Sequence, residues 1–167
     1  MQEAFRPVMP GFDAMSQRLA RLAAGARLLN IPILVTEQYP KGLGHTVNEV
    51  RASLSPEQKI VEKTSFSSCG EPAFVEQLVA SSARQVILCG VEAHVCVNQT
   101  AHDLIARGLQ VHLVLDCILS RSPEDREAGI LRMRQAGVVV STMEMVLFEL
   151  MRDAKHPQFK AVQKLLK

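Results

Sequence analysis

Long apolar runs are missing from this sequence. None approaches the roughly 20 residues that a bilayer-spanning helix needs. A strong charge of either sign is missing too, and a net charge of +2 makes no electrostatic case for nucleic acid or an anionic membrane. The four cysteines are Cys69, Cys89, Cys96 and Cys117. They form no CxxC pair and match no zinc spacing, which disfavours a metal or redox role. Met1 is followed by acidic Glu3 with no apolar leader stretch, so a disulfide framework is not expected. The expectation is free thiols in a reducing, cytoplasmic compartment. No repeat or low-complexity segment interrupts the chain.

What is present suits a single domain. The 167 residues, 47% hydrophobic and 22% charged, are enough to bury a sizeable core. Asp13–Asn30 has apolar residues at helical spacing. "IPILVTEQ" reads as a buried strand ending near Thr36, and "YPKGLGHT" as a turn-rich loop. Lys59–Glu62 reads as a short strand, and Glu71–Ser82 as a helix with Pro72 in its first turn. "RQVILCG" is a strand, Ala93–Arg107 a helix, "LQVHLVLD" a strand. Ser122 and Pro123 open a helix that Gly137 closes. "VVVST" is a strand, and helices follow at Thr142–Arg152 and Pro157–Leu166. Strand and helix alternate, and the strands are continuous Val/Ile/Leu runs. The pattern predicts an α/β fold, a three-layer α/β/α sandwich with a mostly parallel sheet.

In such sheets sites lie beyond the carboxyl ends of the strands. That rim would carry "TEQYP", "CGVEAHVC", "DCILSRS" and "STMEM". Cys96 falls at or just before the first turn of a helix, where unpaired N–H groups and the helix dipole favour an anion. The same N–H groups suit a developing oxyanion. The plain alternative is that Cys96 is a small buried filler. Thr36, Glu37, Gln38 and Tyr39 would face the pocket, or would only form a polar turn before Pro40. His94 would line the pocket or sit as a polar residue at the helix start. Asp116, at a strand end, is expected to bond turn amides.

The stretches "MQEAFRP", "ILVTEQYPKGLGHTV", "EKTSFS", "VILCGVEAHVCVNQTAHDLIARGLQVHLVLD", "SRSPEDREAGILRMRQAG" and "HPQFKAVQKLLK" cover almost the whole chain. They resemble the isochorismatase-like cysteine hydrolase superfamily, and within it the isochorismatase domain-containing proteins. The resemblance implies a Rossmann-like fold and an aspartate–lysine–cysteine triad. The cysteine falls on Cys96 and the lysine on Lys63. A non-proline cis peptide is implied at Val91–Glu92, aiming the Glu92 N–H at an oxyanion. The implied reaction is attack of the Cys96 thiolate on a carbonyl of a small amide-like or related substrate, through a thioester and without a cofactor. The metal motif of nicotinamidases, Asp-x-His, is replaced here by Thr-Glu-Gln, so no metal is expected.

The family's aspartate precedes the "MQEAF"-like segment. The resemblance therefore implies a single domain, 1–167, that is N-terminally incomplete. The first central strand, between "IPILVT" and "RQVILCG", would be absent with it. Two readings of function stand: the cysteine hydrolase, or an inactive binding or oligomeric module on the same scaffold. The expected partners are a small-molecule substrate and further copies of the chain, with no nucleic acid and no membrane.

Overall fold

The computed structural model describes residues 1–167. After a 3-10 turn at Glu3–Val8, the elements are α1 (Phe12–Leu28), β1 (Val35–Gln38), α2 (Pro40–Leu43), α3 (Asn48–Arg51) and β2 (Ile60–Lys63). They continue with α4 (Pro72–Ala80), β3 (Gln85–Val91), a π-turn (Ala93–Val97), α5 (Asn98–Ala106) and β4 (Gln110–Leu119). The chain closes with α6 (Pro123–Gln135), β5 (Val139–Ser141), α7 (Met143–Met151) and α8 (Phe159–Leu165). No helix is long and apolar enough to cross a membrane.

Every strand pair is parallel. The hydrogen-bonded ladder falls into two segments, β1–β2 and β3–β4–β5. The break lies between β1 and β3, where the sequence reading sets a central strand. Helices cover both faces, giving the three-layer sandwich. Strand alternation divides the core between the two layers. Val111 and Leu113 of β4 pack with Leu78 of α4, Leu104 of α5 and Met133 of α6. Val114 and Cys117 turn the other way, toward Leu22 of α1, Leu147 of α7 and Val162 of α8. Each fully buried leucine contributes about 1.5–3 kcal/mol.

Three elements differ from the sequence expectation. The run Ile31–Leu34 is apolar but not a strand. The ladder with β2 starts only at Val35↔Ile60, and a strand needs a partner. The "PKG" turn closes as α2, with Pro40 in its first turn. The helix expected from Ala93 begins instead as a π-turn, and regular helix starts at Asn98. Ser122 caps α6 as its sequence implies, its side chain accepting from the Asp125 N–H.

Candidate functional site

Parallel strands bring their carboxyl ends to one rim, so β1 and β2 end side by side. Gln38 and Lys63 are register partners there. Lys63 is 5% exposed, and a buried ammonium needs acceptors. It finds three neutral ones. Nζ donates to Gln38 Oε1 at 2.5 Å and to the carbonyls of Ser65 and Phe66 at 2.8 Å each. Burial pushes its pKa down, and the neighbouring Cys96 thiol works in the opposite direction. The structure thus brings Lys63 and Cys96 together from segments 33 residues apart.

Cys96 is half-buried within the π-turn. Gly90, at φ +119°, sits where the β3–β4 register shifts in a bulge, a backbone conformation that strains any residue with a Cβ. The next peptide bond, Val91–Glu92, is cis. The Glu92 carbonyl then accepts from the N–H groups of Val95 and Val97. Those two donors are consumed, so the expected row of free first-turn amides is only partly available. The Glu92 carboxylate is buried and faces away, accepting from Arg121 N at 3.1 Å and Nε at 3.0 Å.

The remaining sequence candidates divide. Gln38 touches Lys63. Thr36 pairs its hydroxyl with Ser68 at 3.3 Å and does not bond Lys63. Tyr39 is 53% exposed, its N–H donating to the Lys63 carbonyl at 2.8 Å. His94 is held by Ser120 at 3.0 Å, with Asp125 at 3.8 Å, on the α6 side of the rim. Asp116 caps α7, accepting from Met143 N at 2.9 Å.

Two further residues shape this rim. Glu37 is 2% exposed and accepts from Thr46 N at 2.6 Å and pairs with His45 Nδ1 at 2.9 Å. Burial opposes its charge, and the Thr46 amide and His45 outweigh it, so its pKa is lowered. Gln2 is 4% exposed and bonded to Gln38. Glu37 carried a sequence signal, its place among the strand-end residues expected to face the pocket, and it is tied to Thr46 and His45 instead. For Gln2 there was none.

A parallel α/β sandwich with a lysine and a cysteine at its rim defines the class. The isochorismatase domain model matches residues 1–145, and the chain belongs to that family. It is 48% identical over 167 residues to isochorismatase domain-containing protein 2 of Danio rerio, covering 99% of this chain and 83% of that protein. It superposes on the MAR1 ribonuclease of Caenorhabditis elegans with a TM-score of 0.95 and 44% identity, covering 99% of this chain and 85% of that one. YcaC from Pseudomonas aeruginosa, solved with hexane-2,5-diol and covalent acrylamide, aligns with a TM-score of 0.89 and 25% identity. That alignment covers 98% of this chain and 84% of YcaC.

The likeness to a ribonuclease corrects two expectations. The thioester hydrolase of a small amide-like substrate, with its inactive alternative, is set aside. So is the exclusion of nucleic acid in favour of a small-molecule partner. The exclusion rested on net charge, which averages over the whole surface. A local site holding one or two phosphates needs only a local cation.

Proposed function

We propose that this chain cleaves RNA at the rim where Lys63 meets Cys96. The observation that carries the reading is the Lys63 ammonium, buried against three neutral oxygens with no carboxylate among them. Its charge is left for an anion, either the sulfur of Cys96 or a phosphate. The 44% identity to the MAR1 ribonuclease over 99% of the chain supports the phosphate of RNA.

The chemistry follows from the two groups. The ribose 2′-oxygen attacks phosphorus, forming a P–O2′ bond and breaking the P–O5′ bond. The 2′-hydroxyl proton passes to the Cys96 thiolate. Lys63, releasing one of its three hydrogen bonds, stabilises the charge building on the phosphoryl oxygens and gives a proton to the departing 5′-oxygen. Burial lowers the Lys63 pKa, which makes it a readier donor. The products are a 2′,3′-cyclic phosphate and a 5′-hydroxyl. Both proton movements use side chains of this chain.

Two exposed aromatic residues belong to segments that hold Lys63. Tyr39 is 53% and Phe66 54% exposed. Such rings suit unpaired bases, whose stacking contributes about 1–3 kcal/mol each. The substrate is therefore single-stranded. Four free cysteines fit a reducing, cytoplasmic setting.

Incubation with matched ribo- and 2′-O-methyl oligonucleotides tests the reading. The ribo-oligonucleotide is expected to be cut, leaving cyclic phosphate termini visible by mass spectrometry. The 2′-O-methyl strand is expected to stay intact. Cleavage of both, or of neither, contradicts the mechanism.

A further inference from the structure

Gln2 precedes the first helix, yet it is among the most buried polar residues of the chain. Its side-chain amide does for β1 what a neighbouring strand does for a ladder. Nε2 donates to the carbonyls of Gln38 at 2.9 Å and Gly44 at 2.7 Å. Oε1 accepts from the Gln38 N–H at 2.8 Å. One side chain thus takes both backbone groups of Gln38, which, half-buried at the break between the two ladders, have no strand partner on that side.

With its backbone fixed, Gln38 has its side chain fixed as well. Nε2 donates to the Thr64 carbonyl at 2.7 Å, which turns Oε1 toward Lys63 Nζ. A glutamine suits this place. Its oxygen holds a cation without cancelling the charge, whereas a carboxylate would neutralise it. Linked hydrogen bonds then run from Gln2 through Gln38 to Lys63, and Lys63 borders Cys96.

We infer that Gln2 and Gln38 are positioning residues. Gln2 fixes the end of β1, and the Gln38 amide oxygen fixes the Lys63 ammonium beside the Cys96 sulfur. The inference rests on the Lys63–Cys96 site proposed above but not on RNA as its substrate.

Its test uses no RNA. The full chain is alkylated with iodoacetamide at neutral pH, and the rate at Cys96 is read by peptide mass mapping. The variants are Gln38→Met, Lys63→Met and the double substitution. Gln38→Met is expected to slow alkylation about tenfold, in line with loss of one charge-assisted hydrogen bond. Lys63→Met slows it at least as much, and the double variant is no slower than Lys63→Met alone. Gln2→Met slows it about threefold through the same coupling. A Gln38→Met rate equal to wild type overturns the inference. So does an equal slowing in the wild-type and Lys63→Met backgrounds, the mark of a merely structural role. If Gln38→Met does not fold, Gln2→Met in both backgrounds reads the same coupling. RNA cleavage can fail while this coupling persists, so the two proposals fall separately.

Discussion

Gln38 Oε1 accepts a hydrogen bond from Lys63 Nζ at 2.5 Å across the last register pair of β1 and β2. Lys63 is thus a buried cation satisfied by neutral oxygens alone. Such an arrangement costs stability, because the charge is desolvated without an opposite charge. Lys63→Met, close in volume, removes that cost but orphans the Gln38, Ser65 and Phe66 oxygens, so its stability is expected to stay within about 3 kcal/mol of wild type. The same variant loses RNA cleavage by about a hundredfold or more, as expected for removal of a charge-stabilising donor. Urea unfolding and cleavage assays on one preparation check both halves. A Lys63→Met protein destabilised by well over about 3 kcal/mol would show that the site is a structural ion cage.

The four thiols should differ in reactivity. Burial pushes Cys89 up to about 11 and holds Cys69 and Cys117 above the ordinary thiol range. Cys96 has the Lys63 ammonium beside it, whereas at Cys89 burial outweighs the nearby N-terminal ammonium and at Cys69 it outweighs Arg107. Brief alkylation of the native chain at neutral pH should label Cys96 at least about tenfold faster than the other three, since the thiolate is the reacting form. Faster labelling of Cys69 by peptide mapping contradicts the placement of the site.

Glu37 gives the fold a pH dependence whose sign follows from its partners. Its pKa is lowered in the folded protein, so its stabilising contribution is full above the unfolded value of about 4.3. That contribution is lost as pH falls through the folded value. Glu37→Gln should lose about 1–3 kcal/mol at neutral pH, because one acceptor of two is replaced by a donor. It should also flatten the acid limb of the stability curve. Denaturant midpoints between pH 2 and 7 measure both effects, and an unchanged acid limb would place that pH dependence elsewhere.

Gly129 lies on α6 directly beneath the π-turn that carries Cys96. A Cβ there would stand 2.8 Å from His94 Cα and 3.0 Å from the Ala93 carbonyl oxygen. Both are backbone atoms and cannot rotate away. Gly129→Ala should cost about 1–3 kcal/mol. It should also move the turn enough to slow Cys96 alkylation several-fold. An alkylation rate equal to wild type would mean that α6, not the turn, gives way.

The layers of this fold were legible from alternation. The Val/Ile/Leu runs around Val86, Val111 and Val139 mark buried parallel strands, and Ser122–Pro123 marks a helix start. Lys63 was not legible as a site residue from its surroundings, since a lone lysine after a short strand reads as surface. Only the family resemblance singled it out. The π-turn had no signal, because Ala93–Val97 differs from an α-helix in hydrogen-bond register and not in residue type. Gln2 escaped for a related reason: its partners are backbone groups of Gln38 and Gly44, and backbone leaves no pattern in a sequence. The nucleic-acid reading was missed because a whole-chain charge of +2 conceals where individual cations stand.

Cleavage of a fluorescent single-stranded RNA by wild type, Lys63→Met and Cys96→Ala, purified side by side, tests the central claim most directly. The account predicts cutting by wild type and at least a hundredfold loss in each variant, the loss expected when a charge-stabilising donor or a proton acceptor is removed. Equal cutting by all three proteins, or none by wild type, would contradict it.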